Sequence, residues 1–172
     1  MANQVEIFKE KQPFDKPILK FVFVGGFLLF AYGYIQQVYF GKPFGSEEGA
    51  SNDGLMWGAI ISLILTVAIQ IAKLETKIDN SGIKFRFFPF HIRWRSYSWS
   101  DLKQIKVRYF EPFDEFGGYG LRSRKGVWSF AVEGKYCIEL FKQDGRRTVI
   151  GTRNTEEARK TIKHFAGSKV KK

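Results

Sequence analysis

One cysteine in 172 residues is the first thing the sequence withholds. Cys137 alone can make no intrachain disulfide and no multi-cysteine metal site, which fits a reducing compartment. Two histidines, His91 and His164, leave little material for a metal centre or a proton relay. Acids are also short: 17 Asp and Glu against 28 Lys and Arg give a formal net charge of +11, which points to anionic partners rather than basic ones. No glycine-rich phosphate loop followed by Lys-Ser or Lys-Thr is present, and no nucleophile elbow. The sequence therefore argues against an enzyme, and it calls for no cofactor and no metal.

Charge is missing most sharply from two stretches. No charged residue lies between Lys20 and Lys42, or between Asp53 and Lys73. At ~1.5 Å per helical residue each gap reaches about 30 Å, the thickness of a bilayer core. Helices are expected at 21–40 and 55–72, joined by an external loop at 41–54. In lipid only helices or closed barrels satisfy the backbone, and two spans make no barrel. The N-terminal segment 1–20 does not read as a cleaved signal peptide, because acids and a mixed composition precede the apolar run.

Lys9, Lys11, Lys16 and Lys20 precede the first span, and Lys73, Lys77, Lys84 and Arg86 follow the second. The loop between has Lys42 with Glu47, Glu48 and Asp53. The positive-inside rule then predicts a multi-pass protein of the inner (plasma) membrane with both termini cytoplasmic. Gly58, Ser62 and Thr66 form a small-residue stripe on the second span, and Gly26 and Gly33 lie a heptad apart on the first, as close helix packing favours. Gln37 and Gln70 are polar but uncharged and lie near span ends. With no ionisable group at mid-membrane, anchoring is favoured over transport.

After Glu75 the pattern changes to period two. Strands are expected at 76–79, 83–88, 92–98, 105–111, 127–132, 136–142 and 147–150, with turns at Asp79-Asn80-Ser81-Gly82 and Asp144-Gly145. Asn154 with Glu157 opens a helix whose apolar face is Ala158, Ile162 and Phe165. About seven strands closed by one helix make 73–166 the order of a pleckstrin-homology-like (PH-like) β-barrel, with a basic tail at 167–172. The expected class is α+β: a two-helix transmembrane hairpin carrying a PH-like domain.

On these grounds the chain resembles bacterial membrane proteins with a transmembrane hairpin followed by a PH-like domain. The resemblance is carried by the hairpin, by Thr76-Lys77-Ile78-Asp79 with Gly82-Ile83, by Trp99-Ser100-Asp101-Leu102, and by Ile150-Gly151-Thr152. A photosystem-assembly membrane protein of plastids and cyanobacteria shares this layout, but no motif specific to that role stands in this chain. The resemblance implies fold and placement, not an activity.

Two candidate sites follow. From Lys73 onward 23 Lys and Arg face 11 Asp and Glu, so this part carries +12. Lys84, Arg86, Arg93 and Arg95 in its first strands are the expected contacts to an anionic lipid bilayer, at about 1 kcal/mol per exposed cation near the surface. The second is the glycine- and aromatic-rich segment holding Phe116, Gly118, Tyr119, Arg122 and Arg124, expected to be a partner-binding loop for a membrane or cytoplasmic protein. Lys125-Gly126-Val127-Trp128-Ser129-Phe130 starts like an RNA-recognition motif and then departs from it, so nucleic acid is disfavoured. The leading expectation is a membrane-anchored, non-catalytic interaction module. The alternative is a small transport or channel component, or an accessory subunit of a membrane complex, for which the hairpin would form a homo-oligomer.

Overall fold

The computed structural model describes residues 7–167, so the Lys169–Lys172 part of the basic tail lies outside the described residues. The chain divides into two compact units. In one, α1 (Pro17–Val38) and α2 (Asn52–Ile71) form a helical hairpin. Both are long and apolar enough to cross a membrane. Each starts earlier than the charge gaps predict. Pro17 stands in the first turn of α1, where its missing N–H costs nothing, and Lys20 falls inside the helix, paired with Asp15 at 2.8 Å.

The small residues pack the hairpin as expected. Gly26 faces Ser62, and a Cβ added to Gly58 would fall 2.7 Å from the Phe30 ring. Four residues forward on α1 thus match four residues back on α2, so the helices run antiparallel. Gln37 ties down the connecting loop: its amide accepts from the backbone N–H groups of Phe44 and Ala50 and donates to Ala50 O.

The second unit holds residues 7–14 and 72–167 and is α+β. Its first sheet has the order β1 (Phe8–Pro13), β2 (Lys73–Asp79), β3 (Gly82–Phe88), β4 (Arg95–Ser98), all antiparallel. Gly82 sits at φ +142°, and a Cβ there would fall 2.1 Å from Tyr97 O, so the Asp79–Gly82 turn requires glycine. A 3₁₀ turn (Trp99–Asp101), closed by a reciprocal Ser98–Asp101 capping box, leads to the second sheet. That sheet comprises β5 (Leu102–Tyr109), β6 (Gly120–Arg124), β7 (Val127–Ala131), β8 (Tyr136–Lys142) and β9 (Arg147–Gly151) in the order β5-β8-β9-β7-β6. Two short helices complete the unit, α3 (Pro112–Phe116) and α4 (Thr155–Ala166).

Nine strands among the described residues replace the expected seven. They form two sheets, not a closed barrel, and β7 pairs with β9 in parallel. β6 lies in what read as a loop, because its arginines and the glycines at and before its start hide the strand period. β1 lies in what read as a separate N-terminal segment. Its inward face is Phe8, Glu10 and Gln12, of which only Phe8 is apolar. Gln12 donates to Gly151 O at 2.9 Å, and the Glu10 carboxylate accepts from Thr152 Oγ1 and Arg153 N at 2.7 and 2.8 Å. Hydrogen bonds, not hydrophobic alternation, dock this strand.

The core lies between the sheets and α4. Leu74, Ile78 and Phe85 from the first sheet meet Ile138, Leu140 and Ile150 from the second, with Ala158 and Ile162 of α4 against them. A smaller cluster of Phe110, Ala131, Cys137 and Val149 fills the other face of the second sheet.

Candidate functional site

The outer face of the first sheet follows from its register. Lys9, Lys77 and Lys84 stand directly across β1, β2 and β3 from one another, and Lys11, Glu75 and Arg86 form the next rank. Like charges opposite each other on neighbouring strands are destabilising, so a rank of three lysines is a cost the fold carries. The indole of Trp94 offsets part of it. Lys77 Nζ lies 4.4 Å and the Arg86 guanidinium 4.7 Å from its ring, where a cation is attracted to the π face. Lys9, Lys11, Lys77, Arg86 and Trp94 thereby border an open hollow with Glu75 in its floor.

Glu75 is committed to the fold. Burial pushes its carboxyl up, but the hydrogen bonds and charges of Arg86 and Lys73 outweigh this and hold it below the ordinary range. Asp79 behaves alike: burial raises it, while Ser81 and the Lys84 ammonium at 3.0 Å hold it down.

The four cations named from sequence therefore separate. Lys84 pairs with Asp79, and Arg86 with Glu75 and Trp94. Arg95 contacts His91 Nε2 at 2.8 Å and lies over the Phe130 ring at 5.3 Å. Of the four, Arg93 alone is exposed. The cations the sequence missed, Lys9 and Lys11, are exposed on β1. The only signal for them was two lysines spaced by two on either side of Glu10.

The second candidate segment is built into the domain. Phe116 and Tyr119 pack on the smaller cluster, and Tyr119 OH donates to Gly134 O at 3.0 Å. Gly118 (φ +127°) follows the left-handed Gly117 cap of α3. Arg122 Nε donates to Tyr119 O, and Arg124 to the carbonyls of Asp114 and Glu115. Beside them Glu139, 2% exposed, accepts from Arg108 Nε at 2.7 Å and from Arg147. Burial raises its pKa, yet both arginines together hold the carboxyl below its usual range.

His91 is turned inward against Phe130, and burial, then the Arg95 charge, lower its pKa, which keeps the ring neutral. Burial pushes the Cys137 thiol up to about 12, so it stays protonated. Among the described residues no group of three or more His, Cys, Asp or Glu could hold a metal ion.

No protein-family model matches the chain, and no curated protein matches it.

Proposed function

We propose that the chain is a membrane-anchored, non-catalytic interaction module whose β domain works at an anionic membrane surface. The observation that carries this reading is the surface of the hairpin. Only 6% of the apolar window of each helix is buried, whereas the core helix of a water-soluble protein would be covered. Phe21 and Ile18 are 78% exposed, and Ile64 60%. Such a surface costs free energy in water and none in lipid.

The β1–β2 pairing supports the two-span topology independently. Six in-register pairs, from Phe8↔Ile78 to Pro13↔Lys73, join the strand before α1 to the strand after α2. Neighbouring strands stand about 4.8 Å apart, so both chain connections lie on one side of any membrane the helices cross. The lysine bias favours that side as the cytoplasm of a plasma membrane, with the 39–51 loop outside. The strand run closed by α4 supports kinship with PH-like domains, and the parallel β7–β9 pair sets this domain apart from them. The rank of Lys9, Lys77 and Lys84 supports the anionic surface as partner. A protein partner is the second reading, favoured by Phe113, which is 68% exposed on α3. Transport through a homo-oligomer is less well supported, because Gln37 is spent on the loop.

Topology is tested with single cysteines in a Cys137→Ser background, probed by a membrane-impermeant maleimide. Cysteine at Glu48 is expected to label in intact cells, and cysteine at Ser96 only after the membrane is opened. Labelling of both in intact cells, or release of the chain by alkaline carbonate, would refute the reading. The lipid partner is tested by hydrogen exchange of the full chain in neutral and anionic nanodiscs. Protection of β1–β3 is expected only with anionic lipid and is lost at high salt.

A further inference from the structure

The turn between β3 and β4 has its side chains the wrong way round for water. Phe90 is 60% and Ile92 71% exposed, while the polar residue between them, His91, turns inward against Phe130. The arrangement is held firmly. His91 N donates to Phe87 O at 2.7 Å, its Nε2 meets the Arg95 guanidinium, and the Phe90 ring stacks at 5.5 Å on the buried Phe87. Two apolar side chains are therefore presented outward by a fixed turn, with the exposed Arg93 next in the chain.

The register says where this turn lies in the domain. Phe88, the last residue of β3, stands across from Lys73, the first of β2, and Lys73 stands across from Pro13, the last of β1. One residue beyond, Phe14 N still donates to Ala72 O at 2.8 Å. Three chain segments thus pass the same end of the sheet side by side. Two of them continue into apolar helices, after residues 14–16 on one side and after Ala72 alone on the other. Three extended residues reach at most about 11 Å.

We infer that the 89–92 turn is an interfacial membrane contact, with Phe90 and Ile92 seated at the boundary of headgroups and acyl chains and Arg93 among the anionic headgroups. This rests on the membrane reading above. The short connections hold that end of the sheet at the bilayer surface, where apolar side chains gain from partial burial and a flanking cation gains from lipid charge. The turn adds a third point of attachment beside the two chain connections.

The test uses the full chain, Cys137→Ser, in anionic nanodiscs with a polarity-sensitive fluorophore on a single cysteine. The cysteine is placed at Ile92, at Leu28 within α1, or at Ser123 on β6, and spin-labelled lipids serve as quenchers at two depths. At Ile92 the expected result is blue-shifted emission, with quenching by the shallow label about twofold stronger than by the deep one and absent at Ser123. Adding Phe90→Ser is expected to reduce that quenching, and near-ultraviolet circular dichroism checks that the domain stays folded. If Leu28 is quenched while Ile92 behaves like Ser123, the turn is in water and the inference falls alone. If Leu28 is not quenched either, the membrane reading itself falls, and the inference with it.

Discussion

The first sheet leaves its outer face bare, with Lys9, Lys77 and Lys84 in one rank, whereas the second covers its outer face with α3 and the Phe110–Cys137 cluster. Both sheets alternate, and both carry charge on the outward side. In the second sheet that charge is consumed: Glu139 is buried and held by two arginines, and Arg108 passes on to Glu115 through a bidentate pair at 2.7 and 2.9 Å. In the first sheet acids answer only Lys73, Lys84 and Arg86, and they leave Lys9 and Lys11 open to solvent. A satisfied network is a structural device, while in the first sheet Lys9 and Lys11 stay exposed beside acids already bound to Lys73, Lys84 and Arg86. Under the proposed reading, the first sheet is the one that meets the membrane surface, and the second holds the domain together.

The contrast breaks most visibly at Glu139. Glu139→Ala removes the buried carboxylate that accepts from Arg108 and Arg147; charge-assisted hydrogen bonds contribute about 1.5–3 kcal/mol each, and the partial exposure of both arginines puts the expected loss near the lower end, about 3 kcal/mol in all. Chemical denaturation of the detergent-solubilised chain, followed by near-ultraviolet circular dichroism, should show a loss of that size with lipid response unchanged. The same residue sets acid sensitivity. The carboxyls of Glu139, Glu75 and Glu115 are held below their ordinary values, so their stabilisation is full above the unfolded pKa of about 4.5 and fades as pH falls through the lower folded values. Thermal melting should therefore drop steadily below about pH 5, and Glu139→Gln should flatten part of that slope.

Next in size is Gly82→Ala, where the added methyl meets Tyr97 O and the backbone keeps a positive φ. A cost of about 2–3 kcal/mol is expected from strain and loss of β3–β4 pairing, read as accelerated hydrogen exchange in β4. Trp94→Ala should cost about 1 kcal/mol, because two cations lose the ring that draws them together. Unlike Glu139→Ala, it should also alter the response of the first sheet to anionic lipid. Equal lipid effects from both substitutions would erase the distinction between the sheets.

How much of this could be read beforehand depends on what kind of bond holds each part. α1 and α2 are legible as uninterrupted apolar runs of membrane-spanning length, and β3, β8, β9 and α4 because their apolar residues bury themselves in the core. Tyr136–Lys142 matches its expected bounds, and the Asn154 cap is where the sequence puts it. β1 is illegible because Glu10 and Gln12 face inward and are satisfied by Thr152, Arg153 and Gly151, more than a hundred residues away. β6 is hidden by Gly117, Gly118 and Gly120, whose positive φ angles shape its approach. The site inherits these gaps. Arg86 is recognisable as part of a basic face, but its neighbours Lys9 and Lys11 enter only through β1. Arg122 and Arg124, by contrast, look free in the sequence and are bound to backbone carbonyls in the fold.

The smallest expected effect is the most discriminating. Lys9 faces Lys77 across β1 and β2, so Lys9→Glu converts a like-charge pair into an attractive one. For an exposed cross-strand pair this should stabilise the domain by about 0.5 kcal/mol. The same change reverses one charge on the surface held to meet the membrane, where each cation contributes about 1 kcal/mol. Stability should therefore rise slightly while the extra protection of β1–β3 in anionic nanodiscs falls, and a mere topology signal could not produce those opposite signs. If Lys9→Glu raises stability and leaves the lipid response intact, the lysine rank is an unused solvated face. The anionic surface would then give way to a protein partner.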